Sequence, residues 1–82
     1  MKLTVEISKY PLKDDYIPPI KDYIESLTGI AGIKIESGPT STIVCGEMDQ
    51  VMSALQETML ISHEKYGKSV YIVKLIPGLE AL

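Results

Sequence analysis

Four segments that read as strands and two with a helical repeat run in the order strand, helix, strand, strand, helix, strand. This order predicts an α+β fold, a ferredoxin-like βαββαβ sandwich with a four-stranded antiparallel sheet and two helices on one face. Two further observations support it. The chain has 82 residues, which suits a single domain over 1–82. Gly or Pro stands at each junction: Pro11, Gly29, Gly38-Pro39, Gly46, Gly67 and Pro77-Gly78. The right-handed crossover rule leaves few other ways to join such units.

The first strand covers residues 3–9, where Leu3, Val5 and Ile7 point one way and Thr4, Glu6 and Ser8 the other. Pro11 ends it, because proline has no N–H for the ladder. The first helix begins near Tyr16 and carries Ile17, Ile20, Ile24 and Leu27 as its apolar stripe. Pro18 and Pro19 fit its first turn, Asp15 is the expected cap, and Gly29 suits a left-handed stop. Short strands at 33–37 and 41–45 flank the turn Ser37-Gly38-Pro39-Thr40, and Gly46-Glu47 is expected to break the second of them. The second helix carries Met48, Val51, Met52, Leu55 and Met59, then Ser62 or His63, and stops at Gly67. The last strand runs from Ser69 to Ile76, and residues 80–82 form a tail.

Composition excludes several functions. At 45% hydrophobic and 23% charged, the chain is not a disordered one. No apolar run approaches the roughly 18 residues of a membrane span, and no basic-then-apolar leader is present, so a cytoplasmic protein is expected. Eleven acidic residues oppose eight basic ones, for a net charge of −3, and every basic residue is Lys. The missing Arg and the acidic balance argue against nucleic acid and against a phosphate clamp. Cys45 is the single cysteine and reads as a small buried strand residue. Asp14 and Asp15 lack the further carboxylates of a metal site. His63 has no partner for a zinc site or a hydrolytic triad. No catalytic residues, metal or cofactor are assigned.

The last strand is apolar almost throughout, at Val70, Tyr71, Ile72, Val73, Leu75 and Ile76. Strands buried on both faces read this way, yet the helices cover only one face. The open face is therefore expected to pack against another copy in a homodimer or homotetramer, with Val73→Lys breaking the assembly. The candidate ligand-binding residues are Glu6, Ser8 and Tyr10 on the first strand and Thr40, Ser41 and Thr42 at the hairpin. Strands one and three are central neighbours in this fold, so Glu6 and Ser8 are expected to approach Ser41. A carboxylate among hydroxyls suits an amine or amidine.

Two stretches carry a family resemblance. Lys9-Tyr10-Pro11-Leu12-Lys13-Asp14-Asp15-Tyr16-Ile17 and Pro39-Thr40-Ser41-Thr42-Ile43-Val44-Cys45-Gly46 resemble the thiamine-binding YkoF-like family. Glu47-Met48-Asp49-Gln50-Val51-Met52 matches that family's helix start, and the resemblance spans roughly residues 4–76. It implies a non-catalytic domain that binds thiamine or its hydroxymethylpyrimidine moiety, and single-domain members that assemble as dimers or tetramers. It points to Ser41, Thr42 and the Tyr10 region; Glu6 and Ser8 come from the strand alternation instead. Tyr10, Tyr16 or Tyr71 would stack on a ring, and Glu6, Asp14 or Asp15 would meet the thiazolium charge. With no Arg and no Gly-rich loop opening a helix, the unphosphorylated molecule is preferred to the diphosphate. The alternative is a structural or interaction protein whose open sheet face mediates assembly, without a thiamine ligand. An enzyme is disfavoured because no acid, base and nucleophile converge.

Overall fold

A computed structural model describes residues 1–82. Its elements are β1 (Lys2–Pro11), α1 (Ile17–Thr28), β2 (Ile33–Ser37), β3 (Thr42–Glu47), α2 (Met48–Tyr66) and β4 (Ser69–Pro77). The four strands form one antiparallel sheet in the order β2-β3-β1-β4, which is the ferredoxin-like fold. No helix is long and apolar enough to cross a membrane.

The alternation of β1 decides which face is core. Leu3, Val5 and Ile7 are buried beneath the helices, opposite Gly46, Val44 and Thr42 of β3. Tyr23 and Leu27 of α1 and Val51 and Leu55 of α2 complete the cluster. Each fully buried Leu or Val contributes about 1.5–3 kcal/mol, so this layer carries much of the stability. Residues of β4 take their face from their β1 partners. Val73 lies opposite Ile7 and Tyr71 opposite Lys9, so both face the helices. Val73 is therefore not on the open face, and Val70, Ile72 and Ile76 are the apolar β4 residues exposed there, with Lys74 between them.

Several local expectations are corrected. The buried row of α1 is Pro19, Tyr23 and Leu27, spaced four apart, whereas Ile17 is 62% exposed and Ile20 and Ile24 only flank the row. Asp15 does not cap α1: Tyr16 holds the cap position, with no side-chain bond. Pro18 and Pro19 leave the first turn without the N–H groups that a capping side chain binds. Gly29 is right-handed (φ −76°), and the chain reverses at Gly32 (φ 87°) instead. Gly46 does not break β3. It is buried there because a Cβ would meet the Gly32 carbonyl oxygen at 3.1 Å. On α2, Met52 is exposed, and Ala54, Thr58 and Ser62 join Val51 and Leu55 as the buried residues. Asp22 of α1 clasps the end of α2, accepting from Lys65 Nζ at 2.9 Å and from the Tyr66 hydroxyl.

The tail is not loose. Thr4 Oγ1 donates to the Leu79 carbonyl at 2.7 Å, and the Ala81 N–H donates back to Thr4 Oγ1 at 3.1 Å. Residues 78–82 thus cover the Thr4–Cys45 end of the open face, and both residues are buried. The other end stays uncovered, with Ile72 60% exposed and Tyr10 55%.

Candidate functional site

The sequence-predicted residues divide between two places. Ser8, Thr40, Ser41 and Thr42 line one cavity of ≈ 110 Å³, at the end of the sheet between α1 and the β2–β3 turn. Tyr10 and Thr40 line an adjoining groove of ≈ 500 Å³ with Lys13 and Tyr16. Cavity and groove share Lys9, Ile20, Pro39 and Thr40, so they form one continuous site. The groove falls in the range of small-molecule sites, about 300–1,000 Å³. Glu6 is elsewhere. It faces Ile43 across the open side of the sheet and pairs with Lys74 at 3.4 Å, so no route leads to Ser41. Its place one residue pair short of the turn puts it on the wrong side of the ladder.

The turn is built to present its hydroxyls. The Gly38 N–H donates to the Ser41 carbonyl at 2.8 Å, closing the four-residue turn. Ser8 Oγ reaches across from β1 to donate to the Thr40 carbonyl at 3.0 Å. Ser37 and Thr42 hydroxyls lie 3.2 Å apart, and Thr42 is buried. Ser41 is half-buried, and its hydroxyl makes no side-chain bond within the chain. Ile20, Ile24 and Ile7 supply apolar walls, the usual composition of a pocket for a flat ring.

Two residues that the sequence reading did not select dominate the floor. Tyr23 is 4% exposed and lines the cavity while belonging to the core. Thr58 Oγ1 lies 3.0 Å from the Tyr23 hydroxyl and 2.8 Å from the Ala54 carbonyl. The single threonine proton serves the carbonyl, which leaves the phenol to donate to Thr58. Burial pushes the Tyr23 phenol up to about 12. Lys9 continues the inward parity of Leu3, Val5 and Ile7, so its ammonium sits under the helices. It lies 4.8 Å from the Tyr23 ring centroid and 5.5 Å from that of Tyr71, and it donates to Ser62. Desolvation pushes its pKa below the usual lysine value, opposed by the more distant Asp22. The period-2 parity of β1 is the signal that would have found Lys9.

The remaining candidates lie apart. The Tyr71 ring meets Tyr23 tilted at 51° with centroids 5.5 Å apart, and it lines neither cavity nor groove. Asp14 and Asp15 are exposed and line neither cavity nor groove. His63 is exposed on α2, beside a separate depression with Met59 and Lys68. No three His, Cys, Asp or Glu side chains gather as a metal site. The charged groups of the site are thus Lys9 and Lys13 alone, with no carboxylate.

No family model and no curated protein matches the chain. Solved structures do. A Streptococcus pneumoniae protein superposes with a TM-score of 0.87 at 23% identity, over 96% of this chain and 89% of its own. A domain of unknown function from Bacillus cereus, DUF77, gives 0.79 at 15% identity, over 100% and 83%. A Thermotoga maritima protein, provisionally assigned to thiamine biosynthesis or salvage, gives 0.81 at 27% identity, over 92% and 82%. The chain therefore shares its fold with structures that include one linked by its name to thiamine metabolism.

Proposed function

We propose that this protein is a non-catalytic binder of a small heteroaromatic molecule, and that the pyrimidine half of thiamine, hydroxymethylpyrimidine, is the ligand that suits it best. The carrying observation is the cavity itself, with isoleucine walls, the Tyr23 floor, the half-buried Ser41 and the buried Thr42 hydroxyl beside Ser37. Such a lining receives a flat ring and bonds the donor and acceptor edge of an aminopyrimidine. The YkoF-like resemblance of the Tyr10 and Ser41-Thr42 stretches, and the thiamine-linked Thermotoga neighbour, favour the same ligand class. Whole thiamine fits less well within one chain. Its thiazolium is a permanent cation, and the charged residues lining the groove are Lys9 and Lys13. The non-catalytic reading rests on the same inventory, because neither a carboxylate nor His63 reaches the cavity.

A second reading has its own observation. Ile72 is 60% exposed and Val70 45% on the open sheet face, next to exposed Tyr10. This apolar area favours packing against a second copy as a homodimer or homotetramer, and assembly alone would be the protein's role if no ligand binds.

A thermal-shift series with hydroxymethylpyrimidine, thiamine, thiamine phosphate and thiamine diphosphate separates the readings. A ligand present at 100 times its Kd adds about 2.7 kcal/mol of stability. Hydroxymethylpyrimidine is expected to raise the Tm, and Ser41→Ala to reduce that rise without changing the Tm of the free protein. No shift with any of the four at millimolar concentration rejects the ligand reading and leaves assembly.

A further inference from the structure

The site is a cationic island in a chain of net charge −3. Lys9 and Lys13 both line the groove, no carboxylate lines groove or cavity, and neither lysine has a carboxylate within ion-pair distance; the Lys13 ammonium lies 5.5 Å from the Tyr66 ring centroid. Lys2, Lys65 and Lys74 have such partners, whereas Lys21, Lys34 and Lys68, like the two groove lysines, have none. Lys9 is unusual twice over, because it is half-buried and meets only tyrosine faces and the Ser62 hydroxyl. A half-buried cation whose opposing charge, Asp22, lies beyond ion-pair distance carries a desolvation cost, and an anionic ligand group would relieve it. The groove also holds the aromatic faces of Tyr10 and Tyr16, and it opens directly from the cavity at Thr40.

We propose that the natural ligand carries one phosphate monoester on its ring substituent, with the ring in the cavity and the phosphate in the groove against Lys13, Lys9 and the Thr40 hydroxyl. The inference rests on the ring-binding reading above and narrows it from the neutral pyrimidine alcohol to its monophosphate. The helix terminus beside the groove adds little to the anion site. Pro18 and Pro19 remove N–H groups from the first turn of α1, so the backbone nest that a diphosphate uses is missing. Two ammonium groups and a hydroxyl match one phosphate and not two.

The test is calorimetry of hydroxymethylpyrimidine, its monophosphate and inorganic phosphate on the full chain, at low and high salt, with wild type and Lys13→Gln. Lys13 is exposed, so the variant folds as wild type does. The monophosphate is expected to bind at least tenfold more tightly than the alcohol at low salt. That advantage, read as the ratio of the two affinities within each protein, shrinks with salt and falls in Lys13→Gln. Equal or weaker binding of the monophosphate, with the alcohol still bound, overturns the phosphate inference and leaves the ring-binding reading standing. An undiminished advantage in Lys13→Gln also overturns it, as does inorganic phosphate binding as tightly as the monophosphate. Failure of both organic ligands to bind wild type removes the ring-binding reading and the inference with it.

Discussion

The buried phenol of Tyr23 predicts how the fold responds to alkali. Tyr23 is 4% exposed, and its pKa is pushed up to about 12 from an ordinary value of 10.0. The sign follows from linkage. A group whose pKa is raised on folding contributes stability that is complete below its unfolded pKa and is lost as the pH rises toward the folded one. At about 1.36 kcal/mol per pKa unit, the protein should lose about 1.4 kcal/mol by pH 11 and about 2.3 kcal/mol by pH 12 from this residue. Tyr23→Phe removes the hydroxyl that donates to Thr58, at a cost of about 1 kcal/mol at neutral pH. It also removes the titration. Urea unfolding of both proteins at stepped pH should therefore show the variant less stable near neutrality, the two curves meeting near pH 11, and the variant more stable beyond. Tyr66, whose phenol is also pushed up, titrates in both proteins and cancels in the difference, whereas Tyr71 packs against Tyr23 and its charge adds to the Tyr23 shift, so Tyr71→Phe is carried in both proteins. A difference that stays constant across the whole range would refute the assignment of a buried, neutral phenol to Tyr23.

Gly46→Ala forces a Cβ against the Gly32 carbonyl oxygen at 3.1 Å. Overpacking of this kind costs about 1–3 kcal/mol, more than the about 0.4–1 kcal/mol gained by stiffening the unfolded chain. Gly38→Ala, where the nearest atom is 3.4 Å away, is the control and should be close to neutral by the same urea titration. Ile72→Lys should lower the molar mass in solution if the open face is an interface, and an unchanged mass in a wild type that self-associates would place the interface elsewhere. Ser41→Ala should weaken hydroxymethylpyrimidine binding about tenfold or less, the worth of one hydrogen bond at roughly 0.5–1.5 kcal/mol, and calorimetry would expose a null effect.

Element order was legible because β1 alternates, both helices carry an apolar repeat, the other strands are short β-branched or apolar runs, and Gly or Pro stands between them; the sheet order follows from topology. Phase within the helices was less so. Four isoleucines and leucines in α1 outvote a tyrosine on any hydrophobicity count, yet Tyr23 takes the centre because Thr58 satisfies its hydroxyl from another helix. That partner lies 35 residues away, beyond any local pattern. Gly46 looked like a strand end because glycine usually marks one, whereas the requirement here is the close approach of Gly32. The hairpin half of the site was legible, since Thr40, Ser41 and Thr42 must sit at the turn wherever the strands pair. Glu6 was misplaced by treating neighbouring strands as neighbouring side chains. Its parity sends it to the open face, and the same parity sends Lys9 inward, where a lysine is not expected without a partner.

This parity separates the two roles proposed for the molecule. Odd-numbered residues of β1 face the helices and deliver Ile7 and Lys9 to the cavity, whereas even-numbered ones face the open side with Ile72 and Val70. Ser8 and Tyr10 are the exceptions that touch both, because β1 ends at the groove: Ser8 bonds the turn, and Tyr10 borders the groove while lying opposite Val70. Ligand binding and assembly thus share one rim and no interior residues. Ile72→Lys should free the protomer yet leave affinity for hydroxymethylpyrimidine within a few-fold of wild type. Tyr10→Ala should impair both, through lost stacking in the groove and lost apolar area on the face. If a monomeric Ile72→Lys variant lost all binding, the site would need a second protomer, and the cavity within one chain would be only half of it.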